Sequence, residues 1–386
     1  MSEFLFPTLN KQDWQARFNK ELKEANLENL IARHPAEELD LFPYFVASET
    51  ENHAVSGLLP EKVDGYWEQV FPVYPNTSNE QILEALNFGA NSLYVEEIGP
   101  QLDKQLAGVQ LAYIQTHFYV RDLGKMHALH LFLTQTDQLG FQGSVSVSNP
   151  NLWQELNRLF PIQATLETNT LPYHLEGANV ILETAIALAM GKESMQGVDC
   201  LPRFRFGIGS DYFLEMAKFR SFRLLWANLA QHYGKNPLAL IQAETSEREC
   251  AQTDTDTNLL RLTTMAMSAL AGTADALVVH PHDAHQKNAS RWALHIQNLL
   301  REESYFSKLQ DPGFGAYYIE QLTEQVLTKS WSKFLWIEEQ GGFTSALNKG
   351  LIHSELHRLQ AIRNQALADG KAVKVGVNKY LGKAAK

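Results

Sequence analysis

Residues 202–229 read Pro202-Arg-Phe-Arg-Phe-Gly-Ile-Gly-Ser-Asp-Tyr-Phe-Leu-Glu-Met-Ala-Lys-Phe-Arg-Ser-Phe-Arg-Leu-Leu-Trp-Ala-Asn-Leu229. From Arg203 to Ile208 charged and aromatic side chains alternate, which is the period of a strand. Gly207-Ile-Gly209 then reads as a tight turn, because glycine adopts backbone angles other residues avoid. Leu214, Ala217, Ser221, Leu225 and Leu229 recur at three- and four-residue steps, stacking on one face of a long helix. Ser210 and Asp211 suit its start, as cap and as negative charge at the positive end of the helix dipole. Strand, glycine turn and helix make one unit of an α/β fold. A dinucleotide fingerprint needs a third glycine three residues after the second. Tyr212 stands there, so the turn reads as a packed β-to-α connection.

The same unit recurs on both sides. Upstream, strands are expected at Val70–Tyr74, Asn91–Glu96, Leu111–Val120, Gly143–Val147 and Gln163–Thr168. Helices are expected at Thr77–Phe88, around Leu102, at Leu123–Thr136, Leu152–Leu159 and Gly177–Met190. Downstream, Leu238–Glu244 with Leu259–Ala271 and Ala276–Val279 with Ala289–Leu300 supply the seventh and eighth pairs. Eight alternations with short connections favour a (β/α)8 TIM barrel, with a doubly wound sheet as the alternative. In a barrel, function gathers at the C-terminal ends of the strands. Residues 1–65 read as an N-terminal helical arm. It has a charged helix at Gln12–Ala25, with Trp14 and Phe18 as a docking edge, and a second at Leu27–Ala32. Residues 66–310 form the barrel. Residues 311–386 form a C-terminal helical extension, with helices at Tyr317–Gly341 and Leu351–Leu367 and a closing stretch Val373–Tyr380.

Composition narrows the class. Of 386 residues, 45% are hydrophobic and 20% charged, the balance of a soluble globular protein. A net charge of −11 without a long basic run argues against nucleic acid and against anionic membranes. Cys200 and Cys250 supply neither a disulfide framework nor a cysteine-rich zinc site. The start, Met-Ser-Glu-Phe-Leu-Phe-Pro, lacks the basic and apolar segments of a signal peptide. The apolar stretch Ile181–Met190 is too short to span a bilayer. These features together predict a cytoplasmic protein.

Phe-Gly-Ile-Gly, Phe-Leu-Glu-Met-Ala-Lys-Phe-Arg and Arg-Leu-Leu-Trp-Ala in the opening stretch closely resemble the acyl-CoA mutase family typified by methylmalonyl-CoA mutase. Asp311-Pro, the long helix, Glu338-Glu-Gln-Gly-Gly342 and Val375-Gly-Val-Asn378 follow in the family's order. The resemblance runs from roughly residue 140 to 380, and more weakly before that. It implies the barrel fold and a radical rearrangement of an acyl-CoA driven by adenosylcobalamin, whose hard chemistry belongs to the cofactor. The family holds cobalamin through an Asp-x-His-x-x-Gly loop on a further domain. The nearest match here, Asp283-Ala-His285-Gln-Lys-Asn288, ends in asparagine and follows the eighth strand. The expectation is that this chain binds no cobalamin and that a partner carries it.

The resemblance also nominates site residues. The family's catalytic Arg-Pro-Tyr segment corresponds to Val70-Phe-Pro-Val-Tyr-Pro75, with Tyr74 as the candidate and the arginine missing. After the fifth strand, catalytic members read Gly-Tyr-His-Met-Gln-Glu-Ala-Gly-Ala, whose histidine donates to the thioester carbonyl. Here Leu171-Pro-Tyr-His-Leu-Glu-Gly-Ala-Asn179 is two residues shorter, and His174 falls two places away. At about 1.5 Å rise per residue plus rotation, that shift moves the side chain by several ångströms, against a donor that must sit within about 3 Å. His174 stands with Tyr74 as a catalytic candidate, and a polar residue at a helix start is the alternative reading. The short form resembles the small, non-catalytic subunits of two-chain mutases. Tyr173, His280, Arg291 and Gln242 are the candidate substrate contacts. His280, His282, Asp283 and His285 fit no standard zinc spacing and read as a solvated polar loop, so no metal is expected. Arg203 and Arg205 point the same way along their strand. Either they or Phe204 and Phe206 would fill the barrel, and acyl-CoA binds only if the axis is open.

The expected function is therefore the small (β) subunit of a methylmalonyl-CoA mutase-type heterodimer, beside a catalytic subunit. The alternative is the substrate-binding catalytic half of a split mutase, with cobalamin on a separate subunit. An unrelated barrel enzyme on the same scaffold is a third reading.

Overall fold

The computed structural model describes residues 10–21, 31–34, 36–61, 66–286 and 288–381. Eight parallel strands close into a barrel. In chain order they are β3 (Glu68–Val73), β4 (Ser92–Val95), β5 (Gln115–Tyr119), β6 (Gln142–Val147), β7 (Ala164–Asn169), β8 (Arg203–Ile208), β9 (Leu240–Thr245) and β10 (Ala276–Val278), while β1 (Ala32–His34) and β2 (Leu39–Leu41) form a small antiparallel hairpin before it. Closure comes from β10 pairing with β3, Ala276 opposite Glu68. The (β/α)8 class read from the rhythm of the sequence is thus the observed one. Strand β8 occupies the residues its alternation predicts.

The helices alternate with the strands. They are α2 (Asn79–Asn87), α3 (Leu102–Gln105), α4 (Leu123–Gln135), α5 (Trp153–Leu159), α6 (Leu171–Glu176), α7 (Val180–Ser194), α8 (Tyr212–His232), α9 (Thr257–Ala271) and α10 (Ala289–Glu302). After the barrel come α11 (Tyr317–Glu339), α12 (Phe343–Asn348) and α13 (Leu351–Ala368). Phe204 and Phe206 face outward from β8. They meet Phe222 and Trp226 of α8 at ring distances of 4.7–4.8 Å. Helix α7 presses on this aromatic layer through Gly191, where a Cβ would lie 2.7 Å from Trp226.

Several local expectations change. Asp211, not Ser210, caps α8, its carboxylate accepting from the Leu214 N–H. Neither Gly207 nor Gly209 has a positive φ. Glycine is needed there for room: a Cβ would lie 2.3 Å from His174 at Gly207 and 2.7 Å from Glu215 at Gly209. The helix expected over Gly177–Met190 is α7, which starts three residues later with Asn179 as its cap and runs on to Ser194, while the short α6 before it ends where the backbone breaks at Gly177 (φ 137°). The strand expected over Leu111–Val120 is shorter, Gln115–Tyr119. Of the helix expected over Leu27–Ala32, residues 27–30 lie outside the described residues and Ala32 opens β1.

The arm docks on its own barrel. In α1 (Lys11–Glu21), Trp14 stacks on Tyr44 at 4.7 Å. Leu39 is buried among Val180, Leu214 and Leu322, at the junction of α7, α8 and α11. Farther on, the arm backbone is held by two buried arginines of α8. Arg220 donates to the His53 carbonyl and Arg223 to the Leu58 carbonyl. Arg220 also binds Glu320 at 2.9 Å and Asp311, which ties α11 to the same point. Arg223 binds Asp275 at 2.6 Å, at the foot of β10.

Candidate functional site

The inward face of the barrel is a network of polar and charged side chains. Alternation puts Arg203 and Arg205 on one face of β8, where they bond to the neighbouring strand β9 and also reach β3 and β4 across the axis. They are 1% and 3% exposed. Near the N-terminal end, Arg203 donates to Gln242 on β9 at 2.8 Å and reaches Glu68 on β3 at 3.4 Å. His117 on β5 bridges Glu68 and Ser144 at 2.8 Å each. Burial works to raise the Glu68 carboxyl, but His117 and Arg203 outweigh it and hold it at about 2. Ionised Glu68 fixes the imidazole tautomer: Nε2–H donates to the carboxylate and Nδ1 accepts from the Ser144 hydroxyl. Burial and the neighbouring guanidinium push the His117 imidazole down from its ordinary value.

The next layer is built on Arg205. It donates to Glu244 at 2.8 Å, to Glu96 at 2.6 Å and to the Tyr94 hydroxyl at 3.1 Å, with its guanidinium 4.3 Å from the centre of the Tyr94 ring. Tyr94 donates to Glu167 at 2.6 Å, and Ser146 to the other Glu167 oxygen at 3.0 Å. Strand β10 contributes the apolar side of the interior, Ala276 and Val278, which pack with Val70 and Tyr94. These two layers occupy the axis where a threaded chain would run.

At the C-terminal mouth the groups are mostly acidic. Burial alone would raise Glu244, yet Arg205 and His280 hold its carboxyl at about 2. Glu96 is pushed up by burial, with Glu244 adding to the effect against Arg205. Tyr74, 40% exposed at the end of β3, is raised to about 12 by burial and by Glu244 and Glu96. His280 lies 3.6 Å from Glu244.

The nominated residues divide accordingly. Gln242 lies within the network, mid-strand and fully buried. Tyr74 and His280 lie at the mouth. Arg291 is on α10, donating to His295 and lying over Phe88. Tyr173 packs edge-on against Phe343. His174 sits on α6 with its ring over Gly207, 1% exposed. Its Nδ1 meets Glu183 at 3.0 Å, and Glu183 also accepts from the Gly207 N–H and from Lys218 Nζ. Burial and Arg248 push His174 down to about 4, while Lys218 and His174 hold Glu183 at about 2 against its burial. A neutral imidazole with Nδ1–H given to Glu183 leaves Nε2 bare, an acceptor rather than a donor. The sequence reading missed Glu68, Tyr94, Glu96, His117, Glu167 and Glu244. The signal was present as polar residues at every second strand position, as in Ser144 and Ser146 or Gln242 and Glu244.

Asp283 accepts from the backbone N–H of His285, not from its ring, and from Thr255, while the His285 side chain is exposed. Among the described residues, no group of three or more His, Cys, Asp or Glu side chains is placed to hold a metal ion. No described helix is long and apolar enough to cross a membrane.

Residues 157–386 match the family described as methylmalonyl-CoA mutase. The methylmalonyl-CoA mutase small subunit of Porphyromonas gingivalis is 29% identical, the match covering 97% of this chain and 70% of that protein. The small subunit of Streptomyces virginiae is 34% identical over 58% of this chain and 40% of its own length. The methylmalonyl-CoA mutase of Escherichia coli is 33% identical over 54% of this chain and 32% of its own length. The second and third matches each span less than half of those longer relatives. With the barrel closed as the sequence predicts and more than half of the chain matched, this protein belongs to the methylmalonyl-CoA mutase family.

Proposed function

We propose that this chain is the small, non-catalytic subunit of a methylmalonyl-CoA mutase-type heterodimer. In this reading it is cytoplasmic and supports a catalytic partner that carries adenosylcobalamin and interconverts methylmalonyl-CoA and succinyl-CoA. The observation that carries the reading is the filled barrel axis. Arg203 and Arg205, each under 5% exposed, are bonded to side chains from the opposite strands. Opening a passage for a pantetheine-sized chain would strand buried carboxylates, and removing one partner of a buried ion pair typically costs about 3–5 kcal/mol.

Two further features support it. Glu96 and Glu244 line the C-terminal mouth with the Arg205 guanidinium already bonded to both, so the free carboxylate of a methylmalonyl group entering there would meet carboxyl groups and no unpaired arginine from β8. Like charges repel. His174, the histidine nominated for the thioester carbonyl, presents a bare Nε2, which accepts and so cannot polarise a carbonyl.

The test is calorimetric titration of the purified chain with methylmalonyl-CoA, alongside a mutase assay with and without a cobalamin-loaded catalytic subunit. The expected result is no binding up to about 1 mM, a limit near −4 kcal/mol, and turnover only with the partner. Specific micromolar binding of acyl-CoA by the isolated chain would overturn this reading in favour of the catalytic half of a split mutase.

A further inference from the structure

The N-terminal end of the barrel opens onto a cavity of about 180 Å³ whose wall includes Glu61, Glu68, Gln115, Gln142, Leu240 and Asp275. It is separate from the acidic C-terminal mouth. Asp275 is 5% exposed. Its Oδ2 accepts from Arg223 at 2.6 Å and from the Ile241 N–H at 2.8 Å, while its Oδ1 is buried with no hydrogen-bond partner. A buried acceptor left unpaired costs about 1–3 kcal/mol, so a donor belongs there.

The rest of the wall is also rich in acceptors. The bonds Glu68 makes to Ser92, His117 and Arg203 all use Oε2. Its side chain is 22% exposed, so the Oε1 edge is the one left to the cavity. Gln115 donates its Nε2 to Gln142 Oε1, which leaves the Gln115 oxygen unused. Arg203 and Arg223 answer Glu68 and Asp275 from behind the wall, and Glu61 adds a further carboxylate. Arg301 and Lys308 cover the Tyr66 ring at 5.6 and 6.0 Å, so a second cationic group on a ligand would gain nothing at that rim. An occupant must bring several donors and one positive charge, which an alkylammonium does with three N–H groups and no acceptor. A cavity of about 150 Å³ accommodates a benzene-sized molecule, so a short alkyl chain fits, with Leu240 as apolar wall.

We propose that this cavity binds a small primary ammonium ion, its N–H groups shared among Asp275 Oδ1, Glu68 and Gln115. The probe is n-butylammonium chloride, with 1-butanol as the neutral comparator of the same shape, titrated into the full chain by thermal shift and NMR. Ligand-linked stabilisation predicts a saturable rise in Tm with the amine and none with the alcohol, up to about 20 mM. Glu68→Gln weakens the response about tenfold, the loss expected for a charged acceptor. Leu240→Phe, which fills the cavity and removes no charge, abolishes it while the urea midpoint shows the protein folded. If Glu68→Gln fails to fold, Leu240→Phe decides alone. An amine response no larger than the alcohol's, or one that survives in folded Leu240→Phe, overturns the proposal.

Discussion

His174 rests directly on the backbone of Gly207: a Cβ there would lie 2.3 Å from the imidazole Cγ. Glu183 holds the N–H of the same glycine at 2.9 Å and Lys218 its carbonyl at 2.5 Å. The glycine is clamped on three sides without an unusual φ. Gly207→Ala therefore overpacks the junction of β8 and α6, and a loss of about 1–3 kcal/mol is expected in urea unfolding. Because the clash is with a side chain, His174→Ala in the same protein relieves part of it. A double-mutant cycle will show coupling above about 0.5 kcal/mol. Strict additivity would mean that the backbone, not the ring, sets the requirement.

Arg205 is the only guanidinium reaching Glu96, Glu167 and Glu244 among the described residues, at 2.6, 3.6 and 2.8 Å. Arg205→Met keeps much of the volume and removes the charge. Three buried or half-buried carboxylates then lose their counter-ion, and a cost of about 3–5 kcal/mol is expected. Adding Glu244→Gln recovers part of it, since one stranded charge disappears. Equilibrium denaturation of the two variants checks both steps.

The barrel was legible because its signals are local. Alternation marks β8, and the three- and four-residue steps mark α8. What the local pattern could not choose was which set of β8 side chains lines the axis. Barrel strands are covered on both faces, so Arg203/Arg205 and Phe204/Phe206 are equally buried, and only partners on distant strands decide. The same limit hid the roles of Lys218, Arg220 and Arg223, which fall on buried sides of a helix enclosed nearly all round. Arg220 meets Asp311 and Glu320, and Arg223 meets Asp275, at separations of 50 residues or more. Helix α6 was missed because it spans only Leu171–Glu176 and carries Pro172 in its first turn. The site candidates drawn from family resemblance were scattered for a related reason: a motif fixes sequence position, while the two-residue shortening before Gly177 decides where the imidazole lands.

Arg220 is fully buried and joins three segments far apart in the chain. Its Nη2 donates to the His53 carbonyl at 3.0 Å and to Glu320 at 2.9 Å, and Nε donates to Thr323 at 3.3 Å. His53 in turn donates its N–H to Glu320 at 2.9 Å. Arg220→Met leaves Asp311 and Glu320 unpaired, and a loss of about 3–5 kcal/mol follows. The arm is released before the barrel, since its backbone has few other anchors here. Hydrogen exchange at residues 46–61 will rise first, at urea concentrations that leave the strands protected. Uniform loss of protection across arm and barrel would show that the arm and the core unfold as one unit.

Glu215 carries the pH dependence that can be isolated most cleanly. It is buried on α8 with Lys218 Nζ 2.5 Å away, facing Glu183 of α7, and with His174 of α6 beyond. Burial raises its carboxyl from 4.5 to about 7, with Glu183 adding to the rise and Lys218 opposing it. A carboxyl raised in the folded state binds a proton there more tightly than in the unfolded chain. Its contribution is present below pH 4.5 and is lost as pH climbs through 7. Its neighbours act the other way: His174, lowered to about 4, removes stability as pH falls below 6.5, and Glu183 does so below 4.5. The wild-type profile is therefore compound, and Glu215→Gln separates it. The stability of wild type minus that of Glu215→Gln should fall by on the order of 1–3 kcal/mol between pH 4.5 and 7.5, read from urea midpoints in matched buffers. A flat difference across that window would mean that Lys218 compensates the ionised carboxylate in full and that Glu215 itself holds no proton at neutral pH.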